Sequence, residues 1–261
     1  SGKGDALEAK GEMDAALECH RRAVAATREG NRPLWRLIEA LRARGRIDEA
    51  IACAREGVLK FPREPRFAAA LGEILLQAGR TDESREVLRA AAAAHPRSPD
   101  VRAALGMTLY WGGDAEGAAA EFREAAALAP GSSAIRNNLG VALKSRGDAA
   151  GAAREWREAI RLDPANAAAR GALARLLATT RDPVVRAPAE ALELAEGVVA
   201  EFGRRNAPAL ETLALALAAS GRFPEAIAAA EEALALRPPE AIANSIRSRL
   251  EAFRQGRAAA E

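Results

Sequence analysis

Aromatic residues are scarce in this chain, with six Phe, three Trp and one Tyr in 261 positions. Sheets fill their pleated faces with aromatic and β-branched side chains, and the latter are sparse here too, so a sheet fold is excluded and an all-α one is expected. Histidine occurs only as His20 and His95, which leaves no His-Glu-x-x-His pair and no Cys/His cluster at metal-ligand spacing. The two cysteines, Cys19 and Cys53, are too few for a disulfide framework. No apolar run approaches the roughly 18 to 20 residues that span a bilayer, because arginine or glutamate interrupts every Ala/Leu stretch. Blocks of one charge are missing as well: Lys+Arg 38 and Asp+Glu 36 are mixed along the chain and leave a formal charge of +2, the wrong pattern for a nucleic-acid partner. A soluble body is expected, cytoplasmic or periplasmic.

What the chain does have is alanine, leucine, glutamate and arginine, all strong helix formers, in a pattern that repeats. "AALGMTLYWGGDAEGAAAEFREAAALAP" from Ala103 returns thirty-four residues later as "NNLGVALKSRGDAAGAAREWREAIRLDP" from Asn137, and the same layout begins at Trp35, Ala69 and Glu211. Each line reads as a helix, a glycine turn, a second helix and a proline stop. Leu37, Leu71, Leu105, Leu139, Leu173 and Leu213, each with a leucine four residues on, form an apolar stripe along every first helix. Gly72, Gly106 and Gly140, with Ala50, Ala118, Ala152 and Ala226 in the second helices, are expected where two backbones cross closely. Gly45, Gly79, Gly113, Gly147 and Gly221 suit the left-handed turn that ends a helix. Pro62, Pro96, Pro130, Pro164 and Pro238 stop the second helices.

This period, with Leu-Gly in the first helix, alanines in the second and a closing proline, resembles the tetratricopeptide repeat (TPR) family. The resemblance implies an all-α TPR solenoid, a right-handed superhelix of antiparallel helix pairs in which each repeat completes its neighbour's core. The chain then divides into a truncated unit over 1–30, units over 31–64, 65–98, 99–132 and 133–166, and a unit with a lengthened inter-helix loop over 167–206. A further unit follows over 207–239, then a capping helix over 240–256 and a tail over 257–261. The truncated start suggests that the array began before Ser1 or that a neighbour covers this end. In the capping helix Ile242, Ile246, Leu250 and Phe253 face inward, while Arg247, Arg249, Glu251 and Arg254 occupy other faces. Cys19 and Cys53, at equivalent places in stacked units, would lie about 10 Å apart, beyond the roughly 7 Å that a disulfide spans, and are read as reduced thiols.

Chemistry is hard to find. "SGKGD" lacks the spacing of a phosphate loop and has no strand before it. Glu155 and Glu158 lie on solvated faces with arginine neighbours. His20 falls where Phe122 and Trp156 fall in later repeats, a packing position shared with those two core rings, and His95 precedes a terminating proline. No catalytic residue, metal or cofactor is expected, and the chain is read as a non-enzyme.

A helical wheel places the first-helix face opposite the leucine stripe, at 100° per residue. In the TPR family that face lines a concave groove for extended or helical peptides. Here it carries Met107, Tyr110 and Trp111, then Asn137, Asn138, Val141 and Lys144, then Arg175; the thirty-four-residue spacing makes Met107 and Val141, and Tyr110 and Lys144, lateral neighbours. A secondary stretch carries Trp35, Arg36, Glu39, Arg42, Arg66 and Glu73, with Trp35 either a groove anchor or a cover for the truncated end. The expected function is non-catalytic binding of a protein or peptide. A targeting arm of a larger multi-domain enzyme and a module self-associating through its truncated end are the alternatives.

Overall fold

Local signals set most of the helix boundaries. Ser98, Ser132, Asp114, Asp148, Asn166 and Asn206 each accept, through a side-chain oxygen, the backbone N–H three residues on, and so satisfy an orphan donor at the start of a helix. The five turn glycines all adopt positive φ, from 67° at Gly45 to 86° at Gly113, a conformation that costs other residues about 1 kcal/mol or more.

The computed structural model describes residues 31–258; Cys19, His20 and the truncated unit over 1–30 lie outside them. The described residues form thirteen α-helices and no strand. They fall into two compact units that divide after Pro130. The first holds α1 (Arg32–Ala43), α2 (Ile47–Lys60), α3 (Pro65–Gln77), α4 (Thr81–Ala94), α5 (Pro99–Trp111) and α6 (Ala115–Leu128). The second holds α7 (Ser133–Ser145), α8 (Ala149–Leu162), α9 (Ala167–Thr179), α10 (Pro188–Glu201), α11 (Ala207–Ala219), α12 (Phe223–Ala235) and α13 (Glu240–Arg254).

Within each unit a helix packs on the next in sequence, and first helices also pack on first helices, α3 on α5 and α9 on α11. All twelve stripe leucines, from Leu37 and Leu41 to Leu213 and Leu217, are buried. So are Ala50, Ala118, Ala152 and Ala226, as expected of positions where only a methyl fits.

The helical glycines need a correction. A Cβ built on Gly106 would stand 2.9 Å from the Phe122 ring, and one on Gly140 would stand 2.6 Å from the Trp156 indole nitrogen. The glycines thus make room for a large side chain of the partner helix rather than for its backbone. Phe122 and Trp156 fill those spaces at 1% exposure each, and Trp156 Nε1 donates to the Asn137 carbonyl at 3.1 Å. Arg102 to Glu121 and Arg136 to Glu155, both nineteen residues apart, pair across their helix hairpins at 2.8 and 2.9 Å.

The lengthened loop between α9 and α10 is ordered by its own contacts. Val185 is buried, and Arg186 Nη1 donates to the Ala178 and Thr180 carbonyls. At the far end Ile246, Leu250 and Phe253 of α13 are buried on the rest of the second unit, as a capping helix requires. His95 Nε2 lies 3.0 Å from the Pro62 carbonyl, a contact between two helix-terminating turns.

Candidate functional site

On α5 the two faces separate. Val101, Ala104, Leu105, Thr108 and Leu109 are buried, whereas Met107 and Tyr110 are half-buried and Trp111 is 66% exposed. The rings of Tyr110 and Trp111 meet edge to face, with centroids 5.7 Å apart and planes at 80°. That geometry suits the ring quadrupoles and steadies an indole that the core does not cover.

The remainder of this face in the first unit is built from α1 and α3. Trp35 packs edge-on against Phe67 with centroids 5.8 Å apart, and it leans on the buried cluster around Leu37, Ile38, Leu71 and Ile74. The guanidinium of Arg66 lies 5.2 Å from the Trp35 ring and 5.3 Å from that of Phe67. Arg42 stands 3.5 Å from both Glu39 and Glu73, while Arg36 is exposed. Burial, reinforced by the charges of Glu39 and Asp100, pushes the Glu73 carboxyl above its ordinary value against the pull of Arg42.

In the second unit Asn137, Asn138, Val141 and Lys144 are all half-buried on α7. Asn137 Nδ2 donates to Asn138 Oδ1 at 3.3 Å, and Asn137 Oδ1 is buried without a partner. Arg175, further along on α9, is held in place: its Nη2 donates to Glu211 Oε2 at 2.9 Å and to Thr212 Oγ1 at 3.2 Å.

Glu211 escaped the sequence reading. It is 6% exposed, and besides Arg175 it accepts from Ser245 Oγ at 2.9 Å and from Arg249. Arg249 therefore turns inward onto a carboxylate, a correction to its placement on an outer face of the capping helix. The available signal was positional: Glu211 occupies the repeat place of Trp35 and Asn137, where a lone carboxylate needs a cation. Also unanticipated is an apolar cleft of about 500 Å³ between the second helices α2 and α4, floored by Ala68 and Leu71, with Leu59 81% exposed at its rim.

Among the described residues no cluster of His, Cys, Asp or Glu is arranged to hold a metal ion, and no helix is long and apolar enough to cross a membrane.

Sequence models of the tetratricopeptide repeat match residues 36–99 and 69–133, 133–162 and 207–239, more than half of the chain in all. The chain belongs to the tetratricopeptide repeat family. Its TPR helices make it an all-α solenoid, a fold shared with solved structures at low identity. The Pseudomonas aeruginosa pilF protein matches with TM-score 0.67 at 20% identity, over 91% of this chain and 99% of that one. A tetratricopeptide repeat protein from Parabacteroides merdae matches with TM-score 0.66 at 15% identity, over 97% and 96%. YrrB, described as a TPR protein with an unusual peptide-binding site, matches with TM-score 0.58 at 14% identity, over 75% and 97%. No curated protein sequence matches the chain. TPR proteins in general are non-catalytic scaffolds that bind proteins or peptides, and the fold of this chain is that of an interaction scaffold.

Proposed function

We propose that this TPR chain is a non-catalytic scaffold that holds a protein or peptide segment in the concave groove of its first helices. In the first unit this face carries Met107, Tyr110 and Trp111; in the second it carries Asn137, Asn138, Val141, Lys144 and Arg175. The carrying observation is Trp111, a large aromatic left 66% exposed and braced by Tyr110 on the face opposite the leucine stripe. Exposed indole and phenol rings are the side chains that most often dominate binding energy, at about 2 kcal/mol or more each. On the same face of the second unit, Asn137 and Asn138 carry amides able to pair with a ligand backbone, nearer 1 kcal/mol per hydrogen bond. The peptide-binding site named for YrrB is consistent with this use of the fold.

The test is Tyr110→Ala. It leaves helicity and cooperative melting near wild type and weakens a peptide selected by display against the intact chain by about tenfold or more. Loss of the fold instead would make Tyr110 a core residue and remove the centre of the proposed groove.

A further inference from the structure

The first unit's part of the groove has a charge pattern that narrows the partner. Glu39, Glu73 and Asp100 sit on three successive first helices, α1, α3 and α5, and the first two occupy the same repeat place. Glu73 feels both of the others: Glu39 and Asp100 each oppose its ionisation, beyond what burial does. Arg42 answers them only in part. It is shared between Glu39 and Glu73, and at 3.5 Å both contacts are long for a charge-assisted pair, which closes to about 2.8 Å when well made. Of the other arginines on this face, Arg66 lies over the rings of Trp35 and Phe67, and Arg36 is exposed on α1. On the same face Trp111 offers an exposed indole.

We propose that this face takes a basic, partly apolar segment of a partner protein: a lysine or arginine set between Glu73 and Asp100, and an apolar or aromatic side chain of the same segment laid on Trp111. This rests on the groove reading above and deepens it.

Geometry sets the spacing. Glu73 and Met107 share a repeat place on adjacent helices, about 9 Å apart at ordinary helix packing. Trp111 lies four residues beyond Met107, about 6 Å along the axis, so cation and apolar side chain are about 10 to 15 Å apart. An extended chain covers that in about three to five residues. Four is favoured, because residues an even number apart point to one side of an extended strand. A cation there neutralises carboxylates that now repel one another, and its aliphatic stem covers Met107.

The test is display selection of random nine-residue peptides on the 261-residue chain, followed by affinity measurement of the winners on wild type, Tyr110→Ala and the double variant Glu73→Gln/Asp100→Asn. The expected result is enrichment of Lys or Arg three to five positions from an apolar residue. Affinity should drop about tenfold in the double variant, whose melting does not fall below that of wild type, and weaken as salt rises. Neutral or acidic winners that lose affinity in Tyr110→Ala but not in the double variant would overturn the basic partner and leave the groove intact. Winners indifferent to both changes, or no enrichment at all, would overturn the two readings together.

Discussion

The indole of Trp156 occupies the space that Gly140 leaves open on the facing helix, with its Nε1 2.6 Å from where a Gly140 Cβ would stand. The same fit recurs one repeat earlier between Phe122 and Gly106. In these two hairpins, then, a missing side chain on one helix is matched to an oversized one on the other.

Gly140→Ala forces the indole aside and is expected to cost about 1 to 3 kcal/mol. Gly171→Ala makes the useful comparison. No atom lies within 4 Å of its added Cβ, and it sits inside α9, so removing a flexible helical residue should stabilise by about 0.5 to 1 kcal/mol. Urea unfolding of the two variants should therefore show shifts of opposite sign; equal shifts would mean that the fit at Trp156 carries no energy.

Glu211 holds Arg175 of α9 and Arg249 of α13 at once. Glu211→Ala leaves two guanidiniums without their shared carboxylate. Both are partly solvated, with side chains 26% and 20% exposed, so the cost is expected near the low end for a broken buried pair, on the order of 3 kcal/mol. Amide exchange should register it first in α13, whose docking depends on Arg249 and Ser245. Exchange in α13 that stays at the wild-type rate would show the contact to be incidental.

The raised carboxyl of Glu73 carries a pH signature. A group whose pKa is higher folded than unfolded stabilises fully below the unfolded value and loses that contribution as pH rises through the folded one. At pH 7 the ionised Glu73 is therefore a mild liability, discounted because half of its side chain meets water. Glu73→Gln should raise stability at pH 7 by a few tenths of a kcal/mol, about the size of an exposed pair, and the advantage should vanish near pH 3.5. Urea midpoints at the two pH values check this, and a loss at pH 7 would show that Arg42 outweighs the burial.

Arg237, two residues after the end of α12, adopts φ 51° in the left-handed region. Arg237→Gly relieves that conformation and should stabilise by up to about 1 kcal/mol, read as an upward shift in melting temperature. An unchanged or lower melting temperature would argue against strain at this turn.

Much of the fold was legible because the physics repeats every thirty-four residues. A leucine stripe seen once is ambiguous, but seen from Leu37 to Leu213 it can only be a shared core, and it places Phe122 and Trp156 inside with it. Less visible was why the helical glycines are there. Gly140 reads the same whether it clears a backbone or an indole, and only the facing helix decides. The Glu211 cluster was hidden for another reason. Its arginines lie thirty-six residues before it and thirty-eight after, away from the period, because the lengthened loop at 180–187 stretches one interval and the capping helix ends the other. On the candidate face, the wheel selected half-buried and exposed residues as it should, but it could not tell that Arg175 is engaged by Glu211 or that Trp35 is held by Phe67. Side-chain pairing depends on neighbouring layers, and a wheel sees one helix at a time.

The most direct test of the account is photo-crosslinking with a benzophenone amino acid placed at Met107, on the first-helix face, and separately at Leu59, on the rim of the cleft between second helices. With a bound peptide from the display selection, the account predicts a covalent adduct from position 107 and none from position 59. An adduct from 59 and none from 107 would contradict it, and would move the binding surface to the other side of the repeats.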